Sequence, residues 1–262
     1  MRLGILIAAA AVLCAKSYSV DGIVVATDPT ARTMLVAHRP IGKYMPAMTM
    51  PFRVEDSTAL GALHPGTRIT FDLVVGKEHS LARNIRKAPG GDQEIPPPKE
   101  RLRIGDPVAD FDLVDQQGRS VRLSSLLGKV VAIDFIYTRC PLPDICPRLA
   151  ANFATLARRF ESRDLVLLSI TVDPEYDTPA VLADYAKRWG ADGESWRFLT
   201  GDVAPAAAQL GEVFWADEGS IGHNSMTSVI SRDGRLVARV EGAGYRVDQL
   251  QALIAHELER VR

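Results

Sequence analysis

A stretch rich in proline and glycine divides this 262-residue chain into two unequal parts. Residues 88–103 read APGGDQEIPPPKERLR and lack the apolar periodicity of a helix or a strand. Three consecutive prolines favour extended polyproline II and exclude a helix. We therefore expect a front domain at 19–88, a linker at 89–103 and a rear domain at 104–262.

Composition excludes several classes of protein. Apolar residues make up 47% of the chain and charged residues 24%, which is typical of a packed globular protein. The net charge of −1 provides no basic field for nucleic acid, so we expect no nucleic-acid partner. Three cysteines are too few for a disulfide-dense scaffold.

The N-terminus is typical of an export signal. Arg2 precedes an uninterrupted apolar run at 3–15, which is too short to span a bilayer as a helix. We predict a signal peptide at 1–18, cleaved near 15–19, and a periplasmic mature protein. A buried first strand or helix is the structural alternative. Lipidation of Cys14 would anchor the chain to a membrane, but Leu13 stands where lipoprotein signals prefer a small residue; otherwise we expect no membrane association.

The front domain has the pattern of a small all-β domain. Turn-forming residues separate short apolar runs, and Ser57 is placed to cap one helical turn at 57–63. The five strand candidates lie at 22–27, 33–38, 48–54, 68–75 and 81–85. That many short strands in so small a domain predict a closed barrel.

One segment of the front domain concentrates soft metal ligands. Met48 and Met50 are two residues apart, so on a strand they share a face; Met45 is close by, and His38 ends the preceding strand candidate. Thioethers and imidazole suit Cu(I). The alternative is that these methionines fill gaps in a small core.

Residues 45–52, MPAMTMPF, resemble the metal loop of the CusF-type periplasmic copper-binding proteins, which are five-stranded OB-fold barrels. The resemblance implies that His38, Met48 and Met50 are Cu(I) ligands. The family's tryptophan over the metal is replaced here by Met45, beside Tyr44. The fourth contact is therefore the Met45 sulfur, the Tyr44 ring, or absent.

The rear domain alternates strands and helices before a hairpin and a last helix, which suits a thioredoxin-like α/β fold. The apolar runs at 130–136 and 165–172 predict strands buried on both faces of a parallel sheet. The remaining candidates are a strand at 197–200, helices at 149–160, 178–189, 204–213 and 247–260, and a hairpin at 227–231 and 235–240.

Two cysteines follow the first of these strands. Cys146 and Pro147 stand where the next helix begins, so we expect the helix dipole to favour the Cys146 thiolate. With Cys140 it is predicted to form a dithiol redox pair or a dithiolate metal site, or else a plain structural disulfide. His223 precedes a later strand, and two thiolates with one imidazole suit copper in either oxidation state. Residues 222–227 lack the proline that thioredoxin-type reductases have in this loop.

The rear domain resembles the Sco/SenC family, the copper chaperones of cytochrome c oxidase assembly. The resemblance rests on 105–107 with 110–113, 134–140, 144–147, 171–174 with 177–178, and 222–223. It implies that Cys140, Cys146 and His223 bind copper and that the two cysteines can form a disulfide. Asp173 matches a carboxylate near the family's site. The family spacing is C-x-x-x-C, whereas five residues separate the cysteines here.

These observations predict a copper metallochaperone that handles Cu(I) or Cu(II) and delivers copper to the copper-bearing subunit of cytochrome c oxidase. Other periplasmic copper carriers are the further expected partners. The alternative is a thiol–disulfide oxidoreductase that keeps the oxidase cysteines reduced; a peroxiredoxin-like peroxidase is a third interpretation. Proline-rich chain extends ~3.1 Å per residue, so the linker lets the two predicted metal sites meet.

Overall fold

The computed structural model describes residues 16–45, 48–76, 79–89, 92, 101–143, 145–160, 164–191, 193–217 and 220–260. The predicted signal peptide up to residue 15, Cys14 and most of the predicted linker lie outside these residues. Within the described ranges, no helix has the length and apolar character needed to cross a membrane.

The front domain is an antiparallel sheet in the strand order β3-β2-β1-β4-β5. Its strands are β1 (Lys16–Asp28), β2 (Thr33–His38), β3 (Met48–Arg53), β4 (Arg68–Val75) and β5 (Ser80–Lys87). Burial alternates along β2 and β4, so one face of the sheet forms the core around Val36 and Phe71. The predicted closed barrel is not confirmed, because the hydrogen-bonded order of the described strands ends at β3 on one side and β5 on the other, and an isolated bridge between Val54 and Ala82 lies near these edges.

Two details of the front domain differ from the sequence predictions. A short 3-10 helix covers Ser57–Ala62, but its cap is Asp56 and not Ser57, because the Asp56 carboxylate accepts from the Thr58 backbone N–H. Strand β1 also begins earlier than predicted, since Lys16 already pairs with Val75 of β4. The sheet therefore includes residues that the sequence assigned to the signal peptide.

The rear domain is a seven-stranded mixed sheet in the order β14-β13-β8-β9-β10-β6-β7, with β8, β9 and β10 parallel. Its strands are β6 (Asp112–Asp115), β7 (Ser120–Arg122), β8 (Val130–Ile136), β9 (Leu165–Thr171), β10 (Trp196–Thr200), β13 (Met226–Ile230) and β14 (Leu236–Glu241). Every residue of β8 and β9 is buried, as the unbroken apolar runs predict.

Four helices accompany this sheet: α1 (Cys146–Arg159), α2 (Pro179–Trp189), α3 (Ala204–Leu210) and α4 (Val247–Glu259). Helix α1 buries Leu149, Phe153 and Leu156 against the core, which is the apolar spacing seen in the sequence. Helix α2 begins where the Thr178 side chain accepts from the Val181 backbone N–H, and it ends at Gly190, whose φ is 72°.

A separate two-stranded sheet is formed by the hairpin of β11 (Phe214–Asp217) and β12 (Ser220–His223), which the sequence patterns do not predict. Strands β6 and β7 are likewise not predicted from the sequence. The end of the predicted linker belongs to the rear domain, because the Leu102 N–H donates to the Gln209 carbonyl at 3.1 Å and Arg239 donates to the Leu102 carbonyl at 3.0 Å.

One buried carboxyl lies in the middle of the parallel sheet. Asp134 is on β8, opposite Ser169 of β9 and Thr227 of β13, and it is fully buried. Burial raises the pKa of Asp134 to about 7, because the charged form loses its hydration. The carboxyl is therefore largely neutral in the folded protein below that pH.

The burial of Asp134 predicts how the free energy of unfolding depends on pH. Between pH 5 and 7 the unfolded chain ionises Asp134 while the folded chain keeps it protonated, so the free energy of unfolding falls as pH rises through this window. Asp134→Asn should remove about 2–3 kcal/mol of that loss. Urea unfolding of the reduced protein at pH 5 and pH 7, followed by tryptophan fluorescence, measures the difference.

The control for this experiment is Asp202→Asn, because Asp202 is exposed at a loop before α3. This variant should keep the pH dependence of the parent protein. All three tryptophans belong to the rear domain, so the fluorescence reports its unfolding. An Asp134→Asn protein with the same loss between pH 5 and 7 would contradict the role assigned to this carboxyl.

Candidate metal centres

The rear centre begins with the loop between β8 and α1. Its first residues are held by Asp177, which accepts from the Thr138 backbone N–H at 3.0 Å, from the Thr138 hydroxyl and from the Thr171 hydroxyl. The next residue, Arg139, forms an ion pair with Asp173, in which Arg139 Nε lies 2.6 Å from Asp173 Oδ2. These contacts fix the backbone just before Cys140.

Arg139 also lies over the ring of Tyr176, 4.6 Å from its centroid. Asp173, which the sequence analysis placed near the site, therefore acts on the loop through Arg139. No described contact joins Asp173 to either thiol. Asp173 is therefore placed to order the loop before Cys140 through its ion pair with Arg139.

The two thiols have different environments. Both are free; Cys140 is half-buried in the loop, and Cys146 is fully buried as the first residue of α1. The neighbouring Cys146 thiol stabilises the Cys140 thiolate and so lowers the pKa of Cys140 to about 6. Burial raises the pKa of Cys146. The prediction that the helix dipole favours the Cys146 thiolate is therefore wrong, because desolvation dominates at this position.

His223 reaches the thiols from the end of β12. Its Nδ1 donates to Glu212 Oε1 at 2.8 Å, which leaves the Nε2 lone pair directed at Cys146 Sγ, 3.7 Å away. The ring also meets the edge of Tyr137, with centroids 5.8 Å apart. The structure thus brings together Cys140 with Cys146, and Cys146 with His223.

Glu212 is the residue of this centre that the sequence analysis missed. Its carboxylate is buried and accepts from His223, from the Ser225 backbone N–H at 3.2 Å and from the Met226 backbone N–H at 2.6 Å. The available signal was a lone acidic residue in the apolar run LGEVFW. Outer hydrogen bonds of this kind fix the tautomer and orientation of a metal-ligating histidine.

The donor set of the rear centre suits a soft metal ion. Two sulfur atoms and one imidazole lone pair lie on neighbouring side chains, and thiolate and imidazole ligands are those that copper prefers. In the described part of the chain, however, no three His, Cys, Asp or Glu side chains already form a closed metal-holding cluster. Copper binding by all three side chains would therefore need them to come closer together than they lie in this structure.

The front centre contains a histidine with an unused lone pair. His38 ends β2 and is only 4% exposed. Its Nδ1 donates to the Arg39 carbonyl at 2.8 Å, and its buried Nε2 has no hydrogen-bond partner among the described residues. Burial lowers the pKa of His38, so the imidazole is neutral at pH 7. A neutral, buried nitrogen without a partner fits a metal ligand.

The methionines lie close to this histidine in the sheet. Met48 is the register partner of His38 across β2 and β3, although its side chain lies outside the described atoms. Met50 and Met45 are partly buried against the front core. The ring of Tyr44 stacks on Tyr18 with centroids 4.4 Å apart, so one of its faces is already covered.

The comparisons with known proteins follow the same division of the chain. The SCO1/SenC family model matches residues 101–259, which is more than half of the chain. This chain belongs to the SCO1/SenC family. The family resemblance and thioredoxin-like fold predicted from the rear sequence are confirmed.

The front domain matches a different family model. Residues 17–87 match the model of the copper-binding periplasmic protein CusF. This match confirms the predicted CusF-like front domain and, at the level of the family, copper as the metal. It covers His38 and the methionine segment.

The relatives of the rear half include the SCO1 protein homolog of Bacillus subtilis, which is 38% identical over 96 residues, or 36% of this chain and 49% of that protein. The SCO2-like protein RP587 of Rickettsia prowazekii is 32% identical over 149 residues, or 52% of this chain and 69% of that protein. The match thus spans about half the length of the Bacillus relative.

Two solved structures show the same rear fold. A structure of BsSco, described as having a disulfide switch and as a member of the Sco family of cytochrome c oxidase assembly proteins, is 27% identical with a TM-score of 0.52. The match covers 61% of this chain and all of that one. A SCO1/SenC family lipoprotein from Bacillus anthracis has a TM-score of 0.53 at 22% identity, covering 61% and 98% of the two chains, and supports the fold.

The Glu212–His223 hydrogen bond predicts that changing Glu212 alters Cu(II) binding at the rear centre. Glu212→Gln keeps the side-chain volume but replaces one acceptor oxygen by an N–H₂ that faces backbone donors. The reoriented His223 should weaken Cu(II) binding by about 10–100-fold and shift the thiolate-to-Cu(II) absorption band. Competition titration and visible absorption of the reduced protein measure both effects.

Glu257→Gln is the matched control, since Glu257 is also buried and lies on α4. It should leave the Cu(II) affinity and the band unchanged. If Glu212→Gln binds Cu(II) like the parent chain with an identical spectrum, His223 does not depend on Glu212.

Proposed function

We propose that this chain is a periplasmic copper metallochaperone that delivers copper to the copper-bearing subunit of cytochrome c oxidase. The observation that carries the proposal is the position of His223, whose Nδ1 is held by Glu212 while its Nε2 lies 3.7 Å from Cys146 Sγ. The arrangement places an imidazole nitrogen beside one of the two thiols. Membership of the SCO1/SenC family, and the oxidase assembly role stated for BsSco, support the recipient.

The proposed copper ligands fall into two sets. The rear set is Cys140, Cys146 and His223, and its two sulfurs can carry negative charge when copper displaces their protons. The front set is His38, Met48 and Met50, with Met45 as a further candidate. All front ligands are neutral, which suits Cu(I) and gives a weaker hold than a dithiolate.

The finer organisation of the chain belongs to the same proposal. A signal peptide removed after residue 15 would leave β1 whole, since Lys16 already pairs with β4. The front sheet is proposed to act as an OB-like barrel, supported by the bridge between Val54 and Ala82 at its two edges. The proposed domains are 19–88 and 104–262, joined by 89–103; residues 16–18 add to the front domain through their pairing in β1, and Leu102 adds to the rear domain through its hydrogen bonds. Other periplasmic copper carriers are proposed as donors.

A thiol–disulfide oxidoreductase is the second candidate, and the difference between the two thiols favours it. A half-buried cysteine with a lowered pKa, paired with a buried one, is the arrangement of a reactive thiol and its resolving partner. The Cys140 thiolate would attack a disulfide of the oxidase subunit and form a mixed disulfide. Cys146 would then displace it, so that two electrons pass to the oxidase cysteines and Cys140–Cys146 becomes the disulfide.

His223→Ala separates the two functions. For a metallochaperone, removing one ligand should weaken Cu(II) binding by more than about a hundredfold, beyond the loss typical of an outer partner. A reductase that uses only the thiols would keep its rate of disulfide reduction. Copper titration and a disulfide-reduction assay on the same protein give both readouts, with the exposed His256→Ala on α4 as the control. Unchanged copper affinity in His223→Ala would overturn the three-ligand rear site.

The front centre has its own test, in a full-length Cys140→Ser/Cys146→Ser background that removes the rear thiolates. His38→Ala should lower Cu(I) affinity by more than about tenfold, because the buried nitrogen ligand is lost. His64→Ala is the control, since His64 is an exposed histidine of the same domain. Chelator competition with Cu(I) and with Zn(II) measures affinity and selectivity; equal binding of both metals, or no loss in His38→Ala, would remove the front site.

A further inference from the structure

A surface recess of the rear domain reaches one of the two thiols. It has a volume of about 350 Å³, at the small end of the range for ligand pockets, and Cys140 is one of its lining residues. The fully buried Cys146 does not line it, and none of its described lining residues belongs to the front domain. This Cys140 recess is therefore formed by the rear domain alone.

The walls of the Cys140 recess are largely aromatic. Helix α2 contributes the buried Tyr185 and the half-buried Trp189, whose ring centroids lie 6.1 Å apart. Tyr137, which ends the segment after β8, and Pro147, in the first turn of α1, also line the recess. Aromatic walls pack against an apolar side chain or a sulfur atom, and they strengthen a polar contact made beside them by excluding water.

A positive charge borders the recess without an anionic partner. Arg188 is exposed, lines the recess and lies over the ring of Tyr185, with its Cζ 5.8 Å from the centroid. No described carboxylate forms an ion pair with Arg188, whereas the neighbouring Lys187 pairs with Asp184 at 3.1 Å. A guanidinium stacked on a ring keeps its N–H edge available, and that edge can hold a carboxylate by two parallel hydrogen bonds.

The position of Cys140 decides what occupies the recess. Cys140 is half-buried, whereas Cys146 is fully buried, so a sulfur atom of another molecule meets Cys140 first. That sulfur must come within bonding distance of Cys140, and the groups beside it then lie in the recess. A negative group there is attracted by Arg188, and a positive group is repelled.

We propose that the Cys140 recess recognises the partner's cysteine together with an acidic residue beside it, and that Arg188 determines this specificity. The inference rests on the oxidoreductase form of the proposed function, in which Cys140 attacks a disulfide of the partner protein. The rings of Tyr185 and Trp189 cover the partner's cysteine, while the guanidinium of Arg188 binds the neighbouring carboxylate.

The reaction in the recess needs no further reagent. The Cys140 thiolate attacks one sulfur of the partner's disulfide, so that a mixed disulfide forms and the released partner thiolate takes a proton from water. Cys146 then loses its proton to water, attacks the Cys140 sulfur and displaces the second partner thiolate, which is protonated in turn. Two electrons pass to the partner, and a Cys140–Cys146 disulfide replaces the partner's disulfide.

The test compares two model substrates with the reduced full-length chain. Each is the disulfide-linked dimer of a tetrapeptide blocked at both ends, with the sequence Ala-Cys-Asp-Ala or Ala-Cys-Asn-Ala, so the two differ in charge and hardly in shape. Quenched-flow chromatography gives the second-order rate constant for the reduction of each peptide. Arg188→Gln should lower the ratio of the Asp-peptide to the Asn-peptide rate constant about twofold to fivefold, the effect of losing one exposed ion pair.

Lys187→Gln is the matched control. Lys187 is also exposed and lies in the same last turn of α2, but it does not line the recess. The control therefore removes one positive charge from the same helix end and reports any general effect of net charge; it should keep the ratio of the parent chain. Because both peptides react with the same thiol, a change in the reactivity of Cys140 cancels in the ratio.

The outcomes separate recognition in the recess from the function on which it rests. A ratio that stays unchanged in Arg188→Gln, or falls equally in Lys187→Gln, would overturn recognition by Arg188 and leave thiol exchange at Cys140 in place. A reduced parent chain that reduces neither peptide would overturn the oxidoreductase function and the recess together. A ratio that falls in Arg188→Gln but not in Lys187→Gln supports the proposal.

Discussion

The buried carboxylate of Glu212 is the interaction on which the rear centre depends. It accepts hydrogen bonds from the Nδ1–H of His223 and from the backbone N–H groups of Ser225 and Met226, at the junction between β12 and β13. Without it, two backbone donors and one imidazole would be buried without an acceptor, at a cost of about 1–3 kcal/mol each. The same hydrogen bonds therefore stabilise the junction and aim the Nε2 of His223 at Cys146.

Cys140 and Cys146 are close together in sequence, but they differ in burial and in pKa. Cys146 begins α1, where a helix N-terminus favours a thiolate, yet its complete burial has the larger effect and raises its pKa. Its proton then stabilises the charge on Cys140, which lies nearer the surface. Under the proposed function, this asymmetry would serve thiol exchange, and copper held by both sulfurs as thiolates would remove it. Metal binding and disulfide chemistry are thus proposed as alternative uses of the same pair.

The hairpin of β11 and β12 connects the rear centre to the rest of the chain. It places Trp215 against the front sheet and His223 against the thiols, eight residues apart in sequence and joined through Gly222. A side chain at residue 222 would collide with the indole ring, so glycine is required for this close approach. Trp215 therefore contacts both the front sheet and the strand that presents His223.

The sequence by itself indicated the central strands of the rear sheet and the candidate ligand side chains. The apolar runs fixed β8 and β9, because strands buried on both faces need no alternation; the thiols, the methionine segment and His38 followed from residue type and spacing. Tertiary structure decided the roles of Glu212, Trp215 and Asp134, and the reversal of the expected Cys146 pKa. Each of these depends on burial or on contacts between distant segments, and such contacts leave no periodic pattern in the sequence around the residue.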